Sequence, residues 1–192
     1  VRVLSYDVKD SITIDNAYSG IVKRCEFIYL CLPTPSDKDG RCFTDGLDNA
    51  LAVLSHHASN RNKFPIVFIK STMVPQTTYQ FQEKYKNLIL VCNPEFLTER
   101  FAEDDVSASD KHVIGLPVKH RSLMGLVRDY HEKAWPNSKC IFTTPTEAEL
   151  IKYTTNTFFA TKVTFANLIF ELCNRINIDY NDFIESALEA DP

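Results

Sequence analysis

Six short apolar runs, each bounded by turn residues, punctuate the first three-quarters of this chain: VRVLSYD at 1–7, EFIYLCLP at 26–33, PIVFIKS at 65–71, NLILVC at 87–92, KHVIGL at 111–116 and CIFTT at 140–144. Several are continuously apolar rather than alternating, the pattern of strands covered on both faces. Helix-like stretches lie between them, most clearly TDGLDNALAVLSHHAS from Thr44 and VPQTTYQFQEKYK from Val74. Strand and helix in alternation predict parallel pairing through right-handed crossovers, so the expected class is α/β, a partial doubly wound parallel sheet.

From Pro145 the pattern changes. TPTEAELIKYTTNTFFATKVTFANLIFELCNRINID predicts one helix of about 30 residues, roughly 45 Å long. Thr146 and Glu149 are spaced as a capping box, which leaves Pro145 just outside the helix. Threonines 154, 155, 157, 161 and 164 are poor helix formers, so packing must hold this element. Phe158, Phe159, Phe165, Leu168, Ile169 and Phe170 spread over more than one face, as on a helix buried among other elements or against another subunit. NDFIESALEA begins a further helix with Asn181 as its expected cap. The expected division is therefore a sheet domain over 1–144, and over 145–192 the long connecting helix with the start of a helical domain.

Composition narrows the function class. With 25 acidic against 21 basic residues and a net charge of −4, no nucleic-acid surface is expected. No apolar stretch approaches the roughly 18 residues that cross a bilayer, so no membrane partner is expected either. The six cysteines fall singly, which predicts a reducing, cytoplasmic setting without disulfides or structural zinc. His56 and His57 are adjacent and point about 100° apart on a helix, so no metal site is expected. PSDKDGRCFTDG at 35–46 has Pro and Gly where a calcium loop needs acids, and is expected to be a polar turn.

Open parallel sheets bind ligands beyond the carboxyl ends of their strands. There the chain places Asp7, then Thr34 within Pro33-Thr34-Pro35, then Ser71-Thr72, then Asn93-Pro94-Glu95. Asp7 is either the acid that receives ribose hydroxyls or a solvent-facing turn residue. Thr72 either meets a ligand or caps the helix expected from Pro75. Glu95 and Glu99, four apart in NPEFLTER, either line a site or complement the start of a solvated helical turn. Lys152 and Asn156 share one face of the long helix, a turn beyond Glu149. They are either a solvated pair or the donors that a developing oxyanion needs.

Taken in order, FIYLCLPTPSDKDG, IKSTMVPQTT, NPEFLTER with the AEDD and HVIG beyond it, and TEAELIKYTTNTFFATKVTFANLIFELC resemble the UDP-glucose/GDP-mannose dehydrogenase family over nearly the whole chain. The resemblance implies a Rossmann-like NAD-binding domain and a two-step oxidation of a sugar C6 alcohol to the acid. It implies that Asp7, Thr34, Thr72 and Glu99 meet NAD, and that Thr72 also holds an active-site water. Glu95 is implied as the base or water-positioning carboxylate, with Glu95, Phe96, Leu97, Thr98 and Glu99 as one wall of the substrate site. Lys152 and Asn156 are implied as oxyanion donors, and the long helix as a homodimer or higher homo-oligomer contact.

Two features of that family have no counterpart in residues 1–192: the glycine-rich phosphate turn, expected about 20 residues before Asp7, and the segment bearing the catalytic cysteine. Cys173 lies in the apolar helix pattern and is not read as that nucleophile. These residues alone are accordingly expected to be inactive. The leading substrate is UDP-glucose. The alternatives are GDP-mannose, a UDP-N-acetylhexosamine, or a non-catalytic remnant that binds a partner through the apolar helix.

Overall fold

The computed structural model describes residues 3–7, 14–96 and 111–190, which form two compact units, 1–152 and 153–192. In the first unit, α1 (Ile14–Arg24) leads into β1 (Phe27–Leu30), followed by α2 (Asp45–Ala58), β2 (Ile66–Ile69), α3 (Thr77–Lys84) and β3 (Ile89–Cys92). Then come β4 (Lys111–Gly115), a 3₁₀ stretch Val118–Leu123, α4 (Met124–Ala134), β5 (Lys139–Thr143) and the start of α5 (Pro145–Arg175). The strands are linked in chain order, β1 to β5, as one five-stranded sheet.

Every residue of β2 and β3 is buried, as their unbroken apolar runs predict. Side chains alternate between two covered faces. Ile28, Leu30, Val67, Ile69, Leu88 and Leu90 pack with Tyr18 and Val22 of α1, Leu47, Leu51 and Leu54 of α2 and Phe81 of α3. Ile66, Phe68, Ile89, Val91 and Ile114 pack on the opposite side with Val127 of α4. Helices on both faces make this the expected α/β layer structure.

Two expectations about the strands need correction. Residues 3–7 carry no strand. Among the described residues β1 has β2 as its only neighbour, so residues 3–7 do not pair with its other edge. Tyr6 instead packs edge-on against Tyr18 of α1, ring centroids 5.9 Å apart. The sheet is also not wholly parallel. The pairs β1–β2, β2–β3 and β4–β5 are parallel, but β4 meets β3 antiparallel through the single partner pair Cys92 and Gly115. Both partners are the last residues of their strands, so the two parallel blocks approach tip to tip at their carboxyl ends. Gly115 is needed at that junction. A Cβ there would stand 2.7 Å from Pro145 Cα and 2.8 Å from Ala148 Cβ, so only glycine lets the first turn of α5 close onto β4.

The helix starts also differ in register. Pro145 is the first residue of α5, where a missing N–H costs nothing and φ is already helical. The capping box is Thr144 with Glu147: Thr144 N–H donates to Glu147 Oε2 at 2.8 Å, and Glu147 N–H to Thr144 Oγ1 at 3.4 Å. Glu149 is freed from capping its own helix and is buried. It caps α3 instead, accepting Gln76 N–H at 2.6 Å, Thr78 N–H at 2.7 Å and the Thr78 hydroxyl at 2.6 Å. That carboxylate holds Gln76 at φ 79°, so α3 begins at Thr77 rather than Pro75. Of the segment 35–46, the part before α2 is a polar turn, with Asp37 Oδ1 accepting the N–H groups of Asp39 and Arg41 and Gly40 at φ 77°, while Asp45 and Gly46 already open α2.

The second unit contains the remainder of α5 and α6 (Tyr180–Ala190). Asn177 takes the left-handed conformation, φ 56°, and lets Ile178 N–H return to the Cys173 carbonyl at 3.0 Å, the six-to-one bond that closes a helix end. The α6 cap is Asp179, not Asn181: Asp179 Oδ1 accepts the Asn181 and Asp182 N–H groups at 2.8 and 3.2 Å. Carboxylate and helix dipole favour this position. Thr161 and Thr164 return their hydroxyl protons to carbonyls one turn back, which reconciles them with a helical interior. Phe158, Phe159, Phe165 and Leu168 are exposed within this chain. All six cysteines are free thiols, and no described helix is long and apolar enough to cross a membrane.

A cluster of buried imidazoles behind the sheet makes stability pH-dependent. His112 and His131 lie 5.4 Å apart, with Trp135 4.7 Å from His112. His131 Nδ1 faces the Val127 carbonyl at 2.9 Å and so carries the proton, leaving Nε2 to face the Tyr29 hydroxyl. His112 Nε2 has no hydrogen-bond partner. Burial, with neighbouring His131 and Lys70, pushes His112 from 6.5 down to about 4. A base depressed in the folded state binds fewer protons than in the unfolded chain. Its contribution is therefore complete above pH 6.5 and is lost as pH falls toward 4. Urea titrations are expected to show about 2 kcal/mol lost across that window, discounted for solvent at the ring edge, and His112→Phe is expected to flatten the loss.

Candidate active site

Parallel strands in register end side by side, so the residues just past β1, β2 and β3 meet at one edge. Ser71 ties the first two exits together. Its hydroxyl donates to the Leu32 carbonyl at 2.6 Å and accepts the Leu32 N–H at 3.3 Å. One residue beyond Ser71, the Thr72 carbonyl accepts the Thr34 hydroxyl at 2.7 Å and the Cys42 thiol at 3.8 Å. A hydroxyl has one proton, so Thr34 Oγ1 can present only lone pairs to a ligand here.

The exits of β2 and β3 are joined by a charged network. Asn93 N–H extends the ladder to the Ile69 carbonyl at 2.9 Å, and its side-chain amide donates to Val113 O of β4 at 2.8 Å. That fixes which end of the amide points where. Asn93 Oδ1 turns to Lys70 and accepts from Nζ at 3.0 Å, and Nζ stands 2.5 Å from Glu95 Oε1. The Lys70 side chain is only 9% exposed, against 38% for Glu95. Burial pushes the Lys70 ammonium down to about 8, and the adjoining carboxylate works in the opposite direction. Pro94 is buried between Asn93 and Glu95 and sets where the chain leaves the sheet.

Lys152 comes from the second turn of α5. Its ammonium stands 5.2 Å from the ring centroid of Phe96, the residue after Glu95, and partial burial lowers its pKa. Glu149, three residues earlier, anchors this turn against α3. Burial raises the pKa of its carboxyl, and the Thr78 and Gln76 hydrogen bonds oppose that rise. Thr34 with Thr72, Glu95 with Lys70, and Phe96 with Lys152 are thus direct neighbours in the first unit. Asp7 lies in the segment without a strand, and Asn156 is an exposed residue of the second unit. Leu97, Thr98 and Glu99 lie outside the described residues. Two clefts of about 310 Å³ each are elsewhere, one at Tyr79, Pro117 and Pro145 and the other at Phe64 and His120.

The sequence profile of the UDP-glucose/GDP-mannose dehydrogenase NAD-binding domain matches residues 3–132, and that of the family's central domain matches 146–192. The chain belongs to the UDP-glucose/GDP-mannose dehydrogenase family. It is 31% identical to UDP-glucose 6-dehydrogenase AglM of Haloferax volcanii over 82% of this chain and 39% of that protein. It is 30% identical to the UDP-glucose 6-dehydrogenase of Rickettsia felis over 87% of this chain and 37% of that one. In fold it resembles the GDP-mannose dehydrogenase of Pseudomonas aeruginosa, with TM-score 0.76 and 24% identity over 90% of this chain and 41% of that chain. The UDP-D-ManNAc dehydrogenase of Pyrococcus horikoshii is similar, with TM-score 0.77 and 19% identity over 91% and 42%. The chain therefore spans about two-fifths of the length of these relatives.

NAD is the cofactor of this family's domain, and the strand-end edge fits a dinucleotide in one respect. Thr34 offers an acceptor that a ribose hydroxyl or amide N–H can use. Among the polar groups that meet at this edge, sequence reading misses Lys70. The signal is there for Lys70: a lysine directly after IVFI must extend beside a wholly buried strand, and a buried ammonium needs partners. Asn93 is legible as a strand-end residue before Pro94, but its hydrogen bonds to Lys70 and Val113 are not.

Proposed function

We propose that the protein containing this chain oxidises the C6 alcohol of a nucleotide sugar to the carboxylic acid with NAD⁺, and that the sugar is UDP-glucose. The observation that carries this reading is the Asn93–Lys70–Glu95 network with Lys152 on Phe96, set where three strands end. Glu95 acts as the base that orients and deprotonates water in the hydrolytic step. Its proton can leave to solvent, since the carboxylate is part exposed. Lys152, with Asn156 one turn on, donates to the oxyanion, and Thr72 with Thr34 holds cofactor and a water at the strand edge. Asp7 receives ribose hydroxyls. Phe96, Leu97, Thr98 and Glu99 complete the sugar wall, with Glu99 also beside the nicotinamide. Bound NAD⁺ would supply hydride acceptance.

The exposed apolar residues of α5, Phe158, Phe159, Phe165 and Leu168, support a homodimer through this helix. Names of sequence relatives near 30% identity favour UDP-glucose over GDP-mannose and UDP-N-acetylhexosamines. The full-length protein is expected to form two NADH per UDP-glucose and little with GDP-mannose or UDP-N-acetylmannosamine. A reversed preference would reassign the sugar, and no NADH with any of them would reject the enzyme reading. Purified residues 1–192 are expected to give no turnover with UDP-glucose.

A further inference from the structure

We propose that Lys70 is a positioning residue for the reaction: it sets the orientation and charge of Glu95, and takes its own alignment from the sheet through Asn93. This rests on the role assigned to Glu95 above.

A lysine directly after a fully buried strand is costly. An unpaired ammonium with a 9% exposed side chain loses most of its hydration, and an apolar side chain of similar length would fill the space without that loss. The protein gives the ammonium two acceptors, Asn93 Oδ1 at 3.0 Å and Glu95 Oε1 at 2.5 Å. The order of the network is determined by its far end. Val113 O can only accept, so the Asn93 amide must point its nitrogen there and its oxygen at Lys70. An aspartate at position 93 could not bridge the two. The rigid strand β4 therefore aligns Asn93, Asn93 aligns Lys70, and Lys70 aligns the carboxylate.

The neighbouring thiols do not compete for the ammonium. Burial raises the pKa of both Cys31 and Cys92, which keeps them neutral. Glu95 is then the anion paired with Lys70 among the described residues. A base fixed by a buried cation stays ionised to lower pH than a free one. It also keeps one direction of approach to its water, where small misplacements are costly in rate.

The test separates this pairing from the enzyme reading. In the full-length protein, amine-selective acetylation of Lys70 is monitored by peptide mass spectrometry at pH 7. Glu95→Gln removes the counter-ion and is expected to raise the labelling rate roughly three- to ten-fold. Equal labelling in both proteins would overturn the pairing, whatever the activity. In parallel, Lys70→Met is expected to lower kcat for NADH formation from UDP-glucose with little change in KM, and to move the acidic limb of the pH profile to higher pH. Lys70→Arg is expected to restore most of both. An unshifted profile in Lys70→Met, with only a lower Tm, would reduce Lys70 to a structural role and overturn the proposal. If Lys70→Met does not fold, the labelling and the Lys70→Arg profile decide in its place. Raised labelling in Glu95→Gln, with no NADH from any nucleotide sugar in the native protein, would leave the pair standing and reject the enzyme reading instead.

Discussion

Replacing Glu149 with leucine is expected to lower stability by about 3 kcal/mol and Tm by roughly 10 °C. The side chain is 1% exposed and accepts three hydrogen bonds, from Gln76 N–H, Thr78 N–H and the Thr78 hydroxyl. Leucine leaves all three donors unsatisfied at the start of α3, each costing about 1–3 kcal/mol when buried, while added apolar burial recovers part. Glu149→Gln keeps the shape but turns an amide N–H₂ toward donors on one side, so an intermediate loss of about 1–2 kcal/mol is expected. The exposed Glu147, which caps the helix that carries it, should matter far less when changed to alanine. Urea unfolding at constant m-value measures all three. Equal effects for Glu147→Ala and Glu149→Leu would show that α3 does not depend on the buried carboxylate.

That pair of glutamates shows where sequence reading stops. TTPTEAE contains two overlapping Thr-x-x-Glu boxes, Thr144 to Glu147 and Thr146 to Glu149. Spacing cannot choose between them. Pro145 favours the first, because proline belongs at the first helical position, but the decisive fact is that the start of α3 needs buried acceptors for three donors, which only the tertiary structure reveals. Strands read well for the opposite reason. IVFI and ILVC are apolar at every position, so burial on both faces is written locally. The antiparallel joint between β3 and β4 is not, since the sequence pattern of a doubly covered strand is the same in either direction. The strand-end polar groups are legible by class, as the residues that close each apolar run, and Thr34 beside Thr72 comes from register. Lys70 is hidden because it completes an apolar run in which only its paired partners, 23 and 25 residues further on, give it a purpose.

Lys152→Met in the full-length protein is expected to lower kcat for NADH formation by roughly 10²–10³ with a much smaller change in KM, the signature of a lost oxyanion donor. For the role proposed above, lysine suits this position because its ammonium is a compact charge, and its neighbour is the Phe96 ring, centroid 5.2 Å from Nζ. Partial burial lowers the Lys152 pKa from 10.5. A donor that must be protonated is fully active below that lowered value and is lost as pH rises through it, so activity should fall on the alkaline side before an ordinary lysine would titrate. Phe96→Leu removes a ring that favours the charged form, and is expected to move that alkaline limb to lower pH while leaving the acidic limb, assigned to Glu95, in place. Lys70→Met moves the acidic limb instead. An alkaline limb unchanged by Phe96→Leu and Lys152→Arg alike would remove Lys152 from the reaction and leave its ammonium a packing contact of α5.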